Sequence, residues 1–158
     1  MRLELTRRGD YAVRAMLALA ARDLREITSG REIAAEMAIP GAFLPRVMTD
    51  MVTAGLARST TGRTGGYALA RPAADITLLQ VIEAAEGDSR RTTCVLRGVP
   101  CGQDGHCQVH AVFFAAQDAL LERFRGVTLA ELAARTRTTA RPVTASSAGP
   151  RGRSRSSR

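Results

Sequence analysis

Residues 55–78, GLARSTTGRTGGYALARPAADITL, hold two short strand-like runs, LARS and YALA, joined by TTGRTGG, a loop with three glycines and Arg63. Short runs broken by a glycine cluster predict a β-hairpin. Glycines at the tip let it lie close to another backbone, and Arg58 and Arg63 are placed to reach phosphates or a minor groove. By itself such a hairpin is as readily an ordinary surface turn. What stands before it decides between the two.

Upstream, three helices are predicted. In DYAVRAMLALAARD, Ala12, Ala15, Met16, Leu19 and Ala20 recur at helical spacing. Ser29 stands three residues before Glu32, a reciprocal capping pattern, and Ile33, Ala34 and Met37 give the second helix one apolar face. IPG closes it. Leu44, Val47, Met48, Met51 and Val52 form the stripe of a third helix, with Gly55 as its stop. Three helices on short turns followed by a glycine-tipped hairpin read as a helix-turn-helix with a wing, a DNA-binding arrangement. Downstream, TLLQVIEAAE predicts a fourth helix, capped by Thr77 and Gln80, ended by Gly87 and burying Leu78, Leu79, Ile82 and Ala85.

The chain has 158 residues and a formal charge of +8, carried by 23 arginines without a lysine. Six of those arginines lie in residues 136–158, which contain no acid, leaving +2 for the rest. That stretch of Ser, Thr, Pro, Gly and Arg cannot repay the entropy of ordering and is read as a disordered basic tail. No run of about 18 apolar residues and no signal peptide are present, so a cytoplasmic chain with no membrane association is expected. The closely spaced cysteine pair of a thiol oxidoreductase, a phosphate-cradling loop, a metalloprotease helix and a nucleophile elbow are all missing, and no enzyme is expected.

The order LTRRGDYAVRAML, then EIAAEMAIPGAFLPRVMTDMVTAGLARSTTGRTGGYALARPAADITLLQVIEAAEG, then three cysteines resembles the Rrf2 family of bacterial winged-helix transcriptional regulators, in particular its IscR/NsrR-like iron-sulfur members. The resemblance covers about residues 1 to 135. It implies a mainly α fold: a winged helix-turn-helix with a small β-hairpin wing over 1–88, a cysteine-rich cluster-binding loop over 89–108, a long dimerisation helix with a short closing helix over 109–135, and the tail. It implies a homodimer on a pseudo-palindromic double-stranded operator. The family's reading positions fall on Ala42, Phe43, Pro45 and Arg46 and its wing contacts on Arg58, Ser59, Thr60, Arg63 and Gly65. Arg46 is the expected base reader, since a guanidinium forks onto a guanine edge. Pro45 departs from the polar residue expected there, removing one possible base contact.

All three cysteines and both histidines lie in CVLRGVPCGQDGHCQVH, residues 94–110. An odd number of thiols cannot close a disulfide framework, which raises metal or redox roles. Gaps of six and five residues are looser than those of most structural zinc sites and suit a larger inorganic unit. The resemblance assigns Cys94, Cys101 and Cys107 as ligands of an iron-sulfur cluster, with zinc as the alternative. It offers two fourth ligands: Asp10 from the partner subunit, completing a four-iron cluster, or His110, completing a two-iron cluster. The four-iron form with Asp10 is preferred, and His106 reads as a loop residue. Beyond the loop, Val109, Val112, Phe113, Ala116, Leu120 and Phe124 form an apolar stripe expected to pack between subunits, and Thr128 and Glu131 cap the closing helix.

Overall fold

The computed structural model describes residues 4–88 and 108–138. Cys94, Cys101, Cys107 and His106, together with tail residues 139–158, lie outside the described residues. The elements are α1 (Arg7–Ala20), α2 (Gly30–Glu36), α3 (Leu44–Thr53), β1 (Ala57–Thr60), β2 (Gly66–Leu69), a 3-10 turn (Ala73–Asp75), α4 (Leu78–Glu86), α5 (His110–Arg125) and α6 (Leu129–Thr138). The fold is therefore mainly helical with a two-stranded antiparallel wing.

The expected capping pairs all form. Ser29 Oγ accepts from the Glu32 N–H while Glu32 Oε2 accepts from the Ser29 N–H at 2.9 Å, and Thr77 and Gln80 repeat the exchange on α4. The Ser29 hydroxyl and then its backbone N–H donate to Glu32 and hold its carboxyl below the usual carboxylate range. A carboxyl lowered by folding supports the fold above its unfolded range and loses that support as the pH falls through its folded value. Thr128 Oγ1 accepts from the Glu131 N–H at the start of α6.

The core gathers around α1. Ala12, Ala15, Met16 and Ala18 are completely buried, and Leu19 nearly so, against Ile33, Leu44, Met48, Met51, Val81 and Leu129. Small side chains on α1 let its neighbours approach closely, which is how one helix contacts α2, α3, α4, α6 and β2. The presence of α6 in this group was not evident from its short stripe. Leu78 N–H donates to the Val127 carbonyl and Leu129 N–H to the Ile76 carbonyl, stitching the start of α6 beside the start of α4. The helix continues to Thr138, three residues into the stretch read as tail.

The wing pairs Ala57 with Leu69 through Thr60 with Gly66, one residue later in the first strand than LARS suggests. Leu56 is excluded because its N–H donates to the Met51 carbonyl, closing α3, where Gly55 takes φ 68. A further pairing crosses from the wing to the helix-turn-helix: Thr28 and Tyr67 exchange backbone bonds of 2.9 and 2.8 Å. This brings Gly66 so close to Thr28 that a Cβ there would lie 2.3 Å from the Thr28 carbonyl oxygen. Gly66→Ala is expected to cost about 1–3 kcal/mol by forcing this pairing apart, whereas Gly41→Ala, with nothing within 4 Å of the added carbon, should leave the thermal melt unchanged. Melting curves of the two variants beside the parent check both.

Candidate nucleic-acid interface and sensor segment

Helix α3 divides cleanly into two faces. Leu44, Val47, Met48 and Met51 are buried, while Ala42, Phe43, Pro45, Arg46 and Thr49 are exposed. The exposed positions 42, 46, 49 and 53 recur at helical intervals, so the surface stripe is the geometric complement of the buried one. The start of α3 has no side-chain cap, because Phe43 occupies the N-cap position and Pro45 the first turn. The hydroxyl of Thr49 is turned back onto the Pro45 carbonyl at 2.9 Å.

Cations line this surface and the wing. Arg46 and Arg63 are exposed and make no hydrogen bond or ion pair among the described residues. Arg58 differs, since its Nη2 donates to the Leu24 carbonyl at 2.7 Å and ties the wing to the loop after α1. Ser59 and Thr60 are exposed on β1. Gly65 shapes the hairpin turn: its N–H donates to the Gly62 carbonyl, and a Cβ would lie 2.5 Å from the Thr60 carbonyl oxygen. The structure thus brings together the predicted reading residues on one helix face and the predicted wing residues on one hairpin. Two further exposed arginines, Arg7 and Arg31 in the first turns of α1 and α2, were not singled out from sequence. Their only sequence signal is their place just after an N-cap.

Side-chain bonds that no local pattern announces tie α3 and α4 to the start of α1. Arg8 places Nε 2.8 Å and Nη2 2.6 Å from Asp50 Oδ2, joining the first turn of α1 to α3. Two residues earlier, at the N-cap of α1, Glu86 Oε1 accepts from both the N–H and the hydroxyl of Thr6 at 2.8 Å, joining α1 to the last residue of α4. Gly9 lies directly against that carboxylate, where a Cβ would come within 2.1 Å of Oε1. The cysteine segment follows α4 in the chain, after Gly87 and Asp88.

The two candidate fourth ligands are both described. Asp10 lies in the first turn of α1 with its side chain 40% exposed, its two carboxylate oxygens held by Arg14 at 2.9 and 2.6 Å. Arg14 also reaches the Met37 carbonyl and lies over the Tyr11 ring. His110 begins α5, and its ring stacks on Phe114 at 4.3 Å. Among the described residues no group of three or more His, Cys, Asp and Glu side chains could hold a metal ion. None of these residues' helices, nor any other described helix, is long and apolar enough to cross a membrane.

Residues 5–135 match the Rrf2 family, described as an iron-dependent transcriptional regulator. The chain is 31% identical to the transcriptional regulator IscR of Escherichia coli over 130 residues, covering 82% of this chain and 80% of that one. It is 29% identical to the regulator NsrR of Geobacillus kaustophilus, over 82% and 89% of the two chains. Among solved structures it resembles CymR, described as the global cysteine regulator of B. subtilis, with a TM-score of 0.74 and 25% identity over 85% of this chain and 99% of that one.

Losing Arg63 should remove a backbone contact alone, so Arg63→Ala is expected to lower the slope of log affinity against log salt by about 1 and leave the melt unchanged. Arg58→Ala should instead lower DNA affinity and melting temperature together, because the Leu24 tie goes with it. Salt-titrated binding and thermal melts of the two variants separate these outcomes.

Proposed function

The chain belongs to the Rrf2 family of transcriptional regulators, and on that footing we propose that it is a homodimeric repressor that binds a pseudo-palindromic operator and senses nitric oxide or redox and iron-sulfur status through a cluster held by Cys94, Cys101 and Cys107. The observation that carries this reading is the position of the three thiols. All fall between the end of α4 and the start of α5, inside the span that matches an iron-dependent regulator family. Family membership makes the chain a DNA-binding regulator rather than an enzyme.

The donor set suits iron. Thiolates are its soft ligands, and a carboxylate in fourth place is a weak, hard one. Asp10 meets the requirement of reach, since its side chain is 40% exposed and, among the described residues, its carboxylate is held by the guanidinium of Arg14 alone rather than buried in the core. A four-iron cluster with Asp10 of the partner subunit is therefore preferred. His110 with a two-iron cluster is the alternative, and zinc on the same thiols is a further one. A cluster held by Cys94, Cys101 and Cys107 with Asp10 would supply iron reactive towards nitric oxide, oxygen or peroxide.

The chain's own residues provide the route from the cysteine segment to DNA. Glu86 ends the helix that leads into the segment and bonds Thr6, and two residues further along Arg8 bonds Asp50 on α3. A displacement at the end of α4 therefore reaches the DNA-facing helix through one turn of α1. Dimerisation falls to α5, where Leu121 is the one fully buried residue described and Val112 is 73% exposed beside half-buried Phe113 and Phe114. Such an apolar surface suits a second copy of the same helix. A cluster-free regulator acting through thiol chemistry or a protein partner is the second reading, supported by the likeness to a chain described as a cysteine regulator.

Non-denaturing mass spectrometry of anaerobically purified protein tests the proposal. A dimer with four-iron clusters that Asp10→Ala alone destabilises is expected, and Val112→Asp should shift the dimer towards monomer. Two-iron clusters lost with His110→Ala would replace Asp10 as the fourth ligand. Zinc alone, or no metal after reconstitution with iron and sulfide, would overturn the cluster and leave the second reading.

A further inference from the structure

Phe43 stands out on the DNA-facing surface because folding does not account for its position. Its side chain is 51% exposed, and among the described residues within the helices and wing of the first four helices no other large apolar side chain outside the core is as open. The neighbouring Leu44 is buried at 2% and anchors the start of α3, so Phe43 is not needed for that purpose.

Its direction is nevertheless set. The Phe43 N–H donates to the Pro40 carbonyl at 2.9 Å, and its own carbonyl accepts from Val47 at 3.1 Å. The ring leans on Tyr11 at 5.8 Å between centroids, tilted by 54°, and Tyr11 has the Arg14 guanidinium 5.9 Å from its centroid. A ring supported in this way loses little freedom when something covers its open side. Phe43 takes αR backbone angles, so Phe43 and Arg46, three residues apart, project on the same side of α3. Ala42 and Pro45 extend the apolar surface around the ring, and neither offers a donor or acceptor side chain.

Phosphates and most base-edge atoms give an aromatic ring nothing to bind. The one apolar group on the major-groove edge of DNA is the C5-methyl of thymine. We propose that Phe43 reads a thymine methyl in each half-site, beside the guanine read by Arg46. Three residues of helix advance about 4.5 Å, close to the ~3.4 Å step between base pairs, so the thymine and guanine lie within one or two base pairs of each other. This deepens the DNA-binding reading and rests on α3 entering the major groove.

The test begins with duplexes enriched from a random pool by the full-length chain, in which each thymine is then replaced singly by deoxyuridine, removing only the methyl. One thymine per half-site should be sensitive, its replacement weakening binding about four- to tenfold. That sensitivity should vanish in Phe43→Ala and persist in Phe43→Leu, with circular dichroism confirming that both variants are folded. Uniform indifference to uracil in the parent protein, or sensitivity that survives Phe43→Ala, would overturn the proposal while leaving DNA binding intact. A pool that yields no enriched duplex would overturn the DNA-binding reading and this inference with it.

Discussion

The structure depends on the close approach permitted by the alanine face of α1. With Ala12, Ala15 and Ala18 completely buried, α1 is thin enough on that side for α3, α4 and α6 to pack around it at once. Larger residues there would push α3 outward, since a packed core has no spare volume to absorb them. The polar first turn completes the arrangement. Glycine at position 9 admits the Glu86 carboxylate, Thr6 takes it as a partner, and Arg8 holds Asp50. Core packing holds the helices together, and these bonds tie the start of α1 to α3 and to the end of α4.

That arrangement gives the end of α4 a short connection to α3. The three thiols follow α4 in sequence, and α4 ends on Glu86, which bonds Thr6, the N-cap of α1. The wing is fastened independently, by the Thr28–Tyr67 pairing and by the Arg58 bond to Leu24. Helix α3 and the wing are therefore held by two supports that share the same core. A regulator built this way can change its affinity through a small tilt of one element, without unfolding any of them.

Much of the fold was legible because its signals are local. Ser29 with Glu32, Thr77 with Gln80 and Thr128 with Glu131 each mark a helix start within four residues, and the glycine-rich hairpin loop announces the wing. The bonds that place the elements were not legible. Arg8 and Asp50 are 42 residues apart, and Thr6 and Glu86 are 80 apart, with nothing in either neighbourhood to announce the pairing. The docking of α6 was hidden for a related reason, because the apolar residues of so short a helix look the same whether they meet a core or the surface. At the candidate interface, periodicity separates the exposed face of α3 from the buried one, and the family resemblance puts Phe43 with the reading positions on the exposed face. What the structure adds is that the Phe43 ring is half open to solvent and leans on Tyr11.

Operator affinity measured anaerobically by fluorescence anisotropy, on one preparation before and after the iron is stripped, tests the central claim most directly. If the cysteine segment governs the DNA-facing helix, the iron-loaded dimer should bind its operator about 5- to 150-fold more tightly than the stripped protein, the span of ordinary coupling free energies. Equal affinities in the two states would contradict the account, because the segment would then exert no hold on α3.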